Sequence, residues 1–288
     1  MSEMSDNSVG GLFAYLCSEL TELYEEREST NIAVEIFQGL FGLSRVDLVL
    51  KAGERLSESQ IVSLFRALKE LRKLRPVQYI LGKAHFMGLE LLVDERVLIP
   101  RPETEELVNW IIESYREKYP RLLDIGTGSG CIALALKSKF PNATIHACDV
   151  MPKALELASK NAQNLGLNVE FHEGDILEGE PELGPYDIIV SNPPYIPPSD
   201  KNRMWDNVTA FEPDVALFTP DDDPLIFYRA IAGYCTVSLK EGGWVYVEVH
   251  EDRAEKVVEV FDVHGLVDVE VKLDMQNRPR MVRARRKE

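Results

Sequence analysis

Asn192-Pro193-Pro194-Tyr195 directly follows the apolar run Tyr186-Asp-Ile-Ile-Val-Ser191, and these residue types select a narrow chemistry. The Asn192 side chain supplies a carbonyl acceptor. Pro193 has no N–H and restricts Asn192 to extended geometry, which leaves the neighbouring main-chain carbonyls to accept. Two acceptors aimed at one point match a planar NH₂ group with its two donors, and Tyr195 offers a ring face on which a planar amide or base stacks. The nitrogen of such a group is a poor nucleophile because its lone pair is delocalised. Holding both N–H groups relieves that delocalisation and aligns the nitrogen with an electrophile, so the acceleration comes from orientation and preorganised electrostatics rather than from a strong base.

A second constellation, Asp124-Ile-Gly126-Thr127-Gly128-Ser129-Gly130, closes the apolar run Arg121–Ile125 and leads into a helical pattern. Glycines allow a sharp turn and let a ligand approach the main chain. The dinucleotide fingerprint G-x-G-x-x-G places its third glycine one residue later, where Cys131 stands, which disfavours a nicotinamide dinucleotide. Asp149 ends the next strand, 19 residues beyond Gly130, where a carboxylate accepts the hydroxyls of a ribose. Asp124 beside the loop suits an ammonium-bearing ligand better than a pyrophosphate. A ligand with adenosine at one end and an amino acid at the other is S-adenosyl-L-methionine, spent as S-adenosyl-L-homocysteine. The expected cofactor set is Asp124, Gly126, Thr127, Gly128, Ser129, Gly130, Asp149 and Val150, with Asp175-Ile176 at the next strand end for the adenine amine and ring, and Asn192 shared between both sites.

These loops need a frame that brings strand ends together. From Pro102, apolar strand runs alternate with helical patterns: Arg121–Ile125, Thr144–Cys148, Val169–His172, Tyr186–Ser191 and Trp244–Val249. The alternation predicts an α/β fold, Rossmann-like, with a doubly wound and mostly parallel sheet. Val267–Leu273 and Arg280–Arg285 are separated only by a short polar turn, which predicts an antiparallel last strand. Residues 1–76 carry helical spacing instead (Leu12, Leu16, Leu20, Leu23; then Ile61, Leu64, Leu68, Leu71), with Ser57 and Gln60 placed as a capping box. The expected organisation is a small all-helical unit over 1–76, a β-hairpin connector over 77–99 and the α/β domain over 100–288.

The chain holds 288 residues with 32 Lys+Arg against 48 Asp+Glu, net −16. Residues 77–277 alone carry 17 bases and 35 acids, which opposes stable nucleic-acid binding because that affinity comes chiefly from cations on phosphate. The N-terminus lacks the basic start and apolar core of a signal peptide, and no apolar run approaches the length of a bilayer span. A cytoplasmic protein without membrane attachment is the expectation. Cys17, Cys131, Cys148 and Cys235 are far apart, and the five histidines lie without metal-ligand spacing, so neither a disulfide scaffold nor a metal site is expected. Glu103, Thr104 and Glu105 open a helix and are candidates to line the cofactor pocket, but acids at a helix start are more often explained by the helix dipole, and the three stay outside the expected catalytic set.

Taken together the motifs resemble the protein glutamine N5-methyltransferase family (HemK/PrmC type). The resemblance runs through Pro76-Val-Gln-Tyr-Ile-Leu-Gly82, His85-Phe-Met-Gly88, Leu98-Ile-Pro-Arg-Pro-Glu-Thr-Glu105, the Asp124–Gly130 loop, Asn192–Tyr195, Glu212-Pro213 and Arg278-Pro-Arg280. It implies a class I S-adenosylmethionine-dependent methyltransferase fold. The implied substrate is the Gly-Gly-Gln glutamine of class 1 peptide chain release factors, gripped in part by the helical N-terminal domain. On this resemblance the catalytic residues are Asn192, Pro193 and Tyr195; Asn192 and the Pro193 carbonyl bind the glutamine amide, with Pro194 and Tyr195 beside it and the Leu98–Pro100 turn along the side chain. Family members often carry an aromatic where Ile176 stands. Asn-Pro-Pro-Tyr is shared with adenine and cytosine amino-methyltransferases, so an exocyclic amine of DNA or RNA is the alternative substrate, and a non-catalytic protein with a ligand pocket is a third reading.

Overall fold

A computed structural model describes residues 6–116, 119–179 and 184–288. In chain order the helices are α1 (Val9–Leu20), α2 (Glu26–Phe41), α3 (Arg45–Leu50), α4 (Glu58–Leu71) and α5 (Val77–Leu81). The hairpin β1 (Lys83–Phe86) and β2 (Leu89–Leu92) follows, then α6 (Pro102–Ser114), β3 (Arg121–Ile125), α7 (Cys131–Lys139), β4 (Thr144–Asp149), α8 (Pro152–Leu165), β5 (Glu170–Glu173) and β6 (Tyr186–Ser191). The chain continues through α9 (Asp206–Phe211), α10 (Asp214–Leu217), α11 (Ile226–Ser238), β7 (Leu239–Glu248), α12 (Ala254–Val263), β8 (Leu266–Leu273) and β9 (Pro279–Arg286). It divides into two compact units, residues 1–82 with Asp206–Phe211 and residues 83–205 with 212–288.

The first unit is helical. Val9, Leu12, Leu16 and Leu20 of α1 meet Ala33, Ile36 and Phe37 of α2 and Leu64, Leu68 and Leu71 of α4 in one buried cluster. Ser57 and Gln60 form the expected reciprocal capping box on α4. Ser44 and Asp47 cap the short α3 in the same way, an element too brief for its apolar spacing to announce. Residues 77–81 are helical where the sequence pattern predicts the start of an extended connector. Pro76 sits at the N-cap, its carbonyl accepts from the N–H groups of Tyr79 and Ile80, and Gly82 ends the turn in the left-handed region at φ 69°. The hairpin itself occupies β1 and β2, which pair antiparallel.

The second unit is built on a seven-stranded sheet of order β5-β4-β3-β6-β7-β9-β8. β3 pairs parallel with β4 on one side and β6 on the other, and only β9 runs antiparallel, between β7 and β8. Nearly continuous apolar strands are what a sheet covered on both faces requires. In β6, Tyr186, Ile188, Ile189, Val190 and Ser191 are all buried. One face packs on Leu107, Val108, Ile111 and the apolar side of α7, the other on Tyr228, Ile231, Val257 and Phe261. Each such aliphatic or aromatic residue contributes roughly 1.5–3 kcal/mol by leaving water.

A polar fastening joins the hairpin to this sheet. Buried Asn161 on α8 accepts from the Leu92 N–H at 2.7 Å and donates Nδ2 to the carbonyls of Leu92 and Ser129 at 3.0 and 2.9 Å. Asn161→Leu strands all three main-chain groups. It is expected to lower unfolding stability by about 3 kcal/mol, read as a shift of the urea midpoint; a loss under about 1 kcal/mol would show that the bridge carries no weight. Among the described residues no helix is long and apolar enough to cross a membrane.

Candidate active site

Strand register brings the site together. β3 and β6 are aligned so that Ile125 lies opposite Ser191, and β6 and β7 so that Ser191 lies opposite Val247. The next residues, Gly126, Asn192 and Glu248, therefore emerge side by side at the carboxyl edge, where open α/β sheets bind ligands at the point of strand-order reversal. The Ser191 hydroxyl donates to the Ile125 carbonyl at 2.8 Å and ties the two central strand ends.

The glycine loop is held from below. The N–H groups of Gly126 and Thr127 both donate to the Cys148 carbonyl at 2.9 Å. Gly126, Gly128 and Gly130 have φ of 71°, 55° and 83°, in the region that only glycine enters without strain. At Gly130 a Cβ would also meet the Leu134 and Ala158 side chains at 3.1 and 3.2 Å, so the loop seats tightly against α7 and α8. Asp149 accepts from the Gly128 N–H at 2.8 Å through Oδ2 and from the Met151 N–H at 2.9 Å through Oδ1. Burial raises its pKa above the ordinary carboxylate value, against the lowering effect of these two donors.

Above the loop lies a cavity of about 300 Å³, large enough for a small-molecule ligand. Of the residues expected from sequence, Gly126, Thr127, Gly128, Ser129, Asp149, Val150, Asp175, Ile176, Asn192, Pro193, Pro194, Leu98 and Pro100 line it. Asp124, Gly130 and Tyr195 do not. Asp124 is buried beneath the loop, where Oδ2 accepts from the Thr127 hydroxyl at 2.6 Å and the Ala133 N–H at 3.2 Å. Its Oδ1 is buried without a partner, and desolvation pushes the carboxyl up to about 7. Gly130 serves as the N-cap of α7. Tyr195 lies against His250, with ring centroids 6.1 Å apart and planes 67° apart, and its hydroxyl donates to Glu248. The Cys131 thiol borders the cavity but burial raises it to about 12, leaving it protonated at neutral pH.

Three residues that the sequence reading left aside organise the polar wall. The Asn192 Nδ2 donates to Thr104 Oγ1 at 3.1 Å, the Thr104 hydroxyl donates to Glu248 Oε2 at 2.6 Å, and the Tyr195 hydroxyl donates to Glu248 Oε1 at 3.2 Å. No donor among the described residues engages Asn192 Oδ1, which leaves it an available acceptor. Glu212 is the third: the Ile99 N–H donates to its Oε2 at 3.2 Å and the Arg101 guanidinium to its Oε1, pinning the Leu98–Arg101 turn at the cavity mouth. Glu248 had a sequence signal, an acid at the penultimate position of the apolar run Trp244–Val249. Thr104 had only its place in the first turn of α6. Among the described residues no group of three His, Cys, Asp or Glu could hold a metal ion.

Comparison with known proteins agrees with this architecture. Residues 104–209 match the family model described as "Methyltransferase small domain", and residues 12–82 match "PrmC N-terminal domain". A methyltransferase from Pyrococcus furiosus, covered over its whole length by 76% of this chain, superposes with a TM-score of 0.55 at 20% identity, which bears on the fold alone. The matched family model and this sheet identify a methyltransferase domain. The full-length relatives are more particular. The chain is 40% identical over 268 residues to the release factor glutamine methyltransferase of Flavobacterium psychrophilum, covering 92% of this chain and 94% of that one. It is 38% identical to that of Bacteroides thetaiotaomicron, covering 95% and 98%. The chain belongs to the release factor glutamine methyltransferase family.

Proposed function

We propose that this chain transfers a methyl group from S-adenosyl-L-methionine to the side-chain amide nitrogen of the Gly-Gly-Gln glutamine in class 1 peptide chain release factors. The observation that carries the reading is Asn192, held with its amide nitrogen on Thr104 and its carbonyl oxygen available beside the glycine cradle. Family membership supports the substrate.

The residues present fit the cofactor. A loop of three left-handed glycines admits close approach, and Asp149 borders the cavity beside it. Asp149 would hold the ribose, Asp175 and Ile176 the adenine, and the Gly126–Ser129 backbone the amino-acid end. When bound, the cofactor supplies an electrophilic methyl on a sulfonium.

The chain's own work is orientation. Asn192 Oδ1 and the Pro193 carbonyl accept the two N–H groups of the glutamine amide, which fixes the plane of that amide and raises the nucleophilicity of its nitrogen; once the N–CH₃ bond has formed, one of those N–H protons is released to water. The turn at Leu98–Pro100, clamped by Glu212, flanks the aliphatic part of the side chain. Leu98, Ile176 and Leu177 contribute apolar lining to the cavity.

The test is the mass of a release-factor peptide containing Gly-Gly-Gln after incubation with the chain and S-adenosylmethionine. A gain of one methyl on the glutamine is expected. Label from the cofactor appearing in DNA or RNA and not in the release factor would overturn the reading.

A further inference from the structure

The Thr104 hydroxyl has one proton and commits it to Glu248 at 2.6 Å. What remains for Asn192 is lone pairs, so only the NH₂ end of its amide can face Thr104, and Oδ1 must face the cavity. Were Glu248 protonated on Oε2, it would donate to Thr104. Thr104 would then donate to Asn192, whose carbonyl would turn inward and whose NH₂ would face the substrate. The reacting NH₂ of a substrate amide presents two donors and finds no acceptor on that face.

We propose that Glu248 and Thr104 are positioning residues for the transfer, a two-residue relay whose ionised state locks Asn192 with its acceptor towards the substrate and whose protonated state allows the amide to flip. This rests on the function proposed above. Neither residue donates a proton to substrate; both act through Asn192.

The surroundings allow such a switch near neutral pH. The groups facing Glu248 are Thr104 and Glu103 of α6, the Cys131 thiol of α7, Tyr195 of the loop after β6, Arg280 of β9 and, on its main-chain carbonyl, the Tyr228 hydroxyl of α11 at 3.1 Å. Burial is the largest influence and pushes the carboxyl up to about 7, while the Thr104 and Tyr195 hydroxyls and the Arg280 charge act the other way and Glu103 adds to the rise. The acceptor-out form therefore predominates above that pH and gives way as pH falls through it.

At saturating cofactor, turnover of the intact chain on a release factor should show an acid limb with midpoint near 7, and Glu248→Gln should remove that limb and leave turnover lower by about 10–100-fold. Thr104→Val should lower kcat by a similar factor with cofactor affinity within about threefold, and Thr104→Ser should restore most of it. An unchanged limb in Glu248→Gln, or kcat within about twofold of the unsubstituted chain in Thr104→Val, would overturn the proposal. A second readout needs neither substrate nor cofactor: the side-chain NH₂ resonances of Asn192, assigned by their loss in Asn192→Asp, should titrate with the same midpoint. Resonances that stay fixed from about pH 5.5 to 8.5 would overturn the relay independently. If those resonances titrate while the Gly-Gly-Gln peptide gains no methyl, the relay stands and it is the substrate reading that falls.

Discussion

Asn192→Ala leaves the chain folded and binding S-adenosylmethionine within about threefold of the unsubstituted affinity, while methylation of the release factor falls by about 10²–10³-fold or more. The substitution removes one of the two acceptors proposed to hold the glutamine amide, and that interaction matters most when the nitrogen is being aligned and its lone pair freed. Loss of a preorganised polar contact at a reacting centre is costly because water cannot enter to replace it with the same geometry. The fold should survive. Asn192 is only partly buried, its side-chain bond among the described residues is to Thr104 at 3.1 Å, and the strand before it is anchored separately by Ser191. Calorimetric titration with the cofactor and a single-turnover assay on the release factor separate the two quantities. Transfer within about threefold of the unsubstituted rate would remove Asn192 from the catalytic assignment.

Asp149→Ala acts on the other half of the reaction. Here the expected result is a fall of about 10²-fold in cofactor affinity, with turnover at saturating cofactor changed by less than about threefold. Two effects add. The carboxylate proposed to accept the ribose hydroxyls is gone, and the N–H groups of Gly128 and Met151 lose their acceptor. Because burial raises the carboxyl's pKa and the ionised form is the acceptor, affinity in the unsubstituted chain should weaken as pH falls, beginning above the range of an ordinary aspartate. The alanine variant should lack that dependence. An affinity within about threefold of the unsubstituted chain would place the ribose elsewhere.

Much of this protein was legible in local patterns. The alternation of β3, β4 and β6 with amphipathic or apolar helices was readable because a sheet buried on both faces demands unbroken apolar strands. The capping box at Ser57 and Gln60 was readable because it is satisfied within four residues. The helical turn of α5 was not, since five residues give no periodicity and the Pro76 before them reads equally well as a break. At the site, the glycine loop and the strand-end residues Asp149 and Asn192 could be placed together because the binding edge of a doubly wound sheet follows from its topology.

Residue order alone determined the strand-helix alternation, the left-handed glycine cradle and an acceptor-rich turn at the same sheet edge, since each depends on neighbours within a few positions. Only the tertiary structure decided which way the acceptor points. Asn192 takes its orientation from Thr104, 88 positions earlier in the chain, and Thr104 takes its own from Glu248, 144 positions later. It also decided that Asp124 lies beneath the loop rather than in the cavity, and that Glu212 pins the Leu98–Arg101 turn from 113 positions beyond Ile99. The reason is physical: a hydrogen bond is specified by the position and direction of both partners, and where those partners are distant in the chain, strand register and packing set the direction.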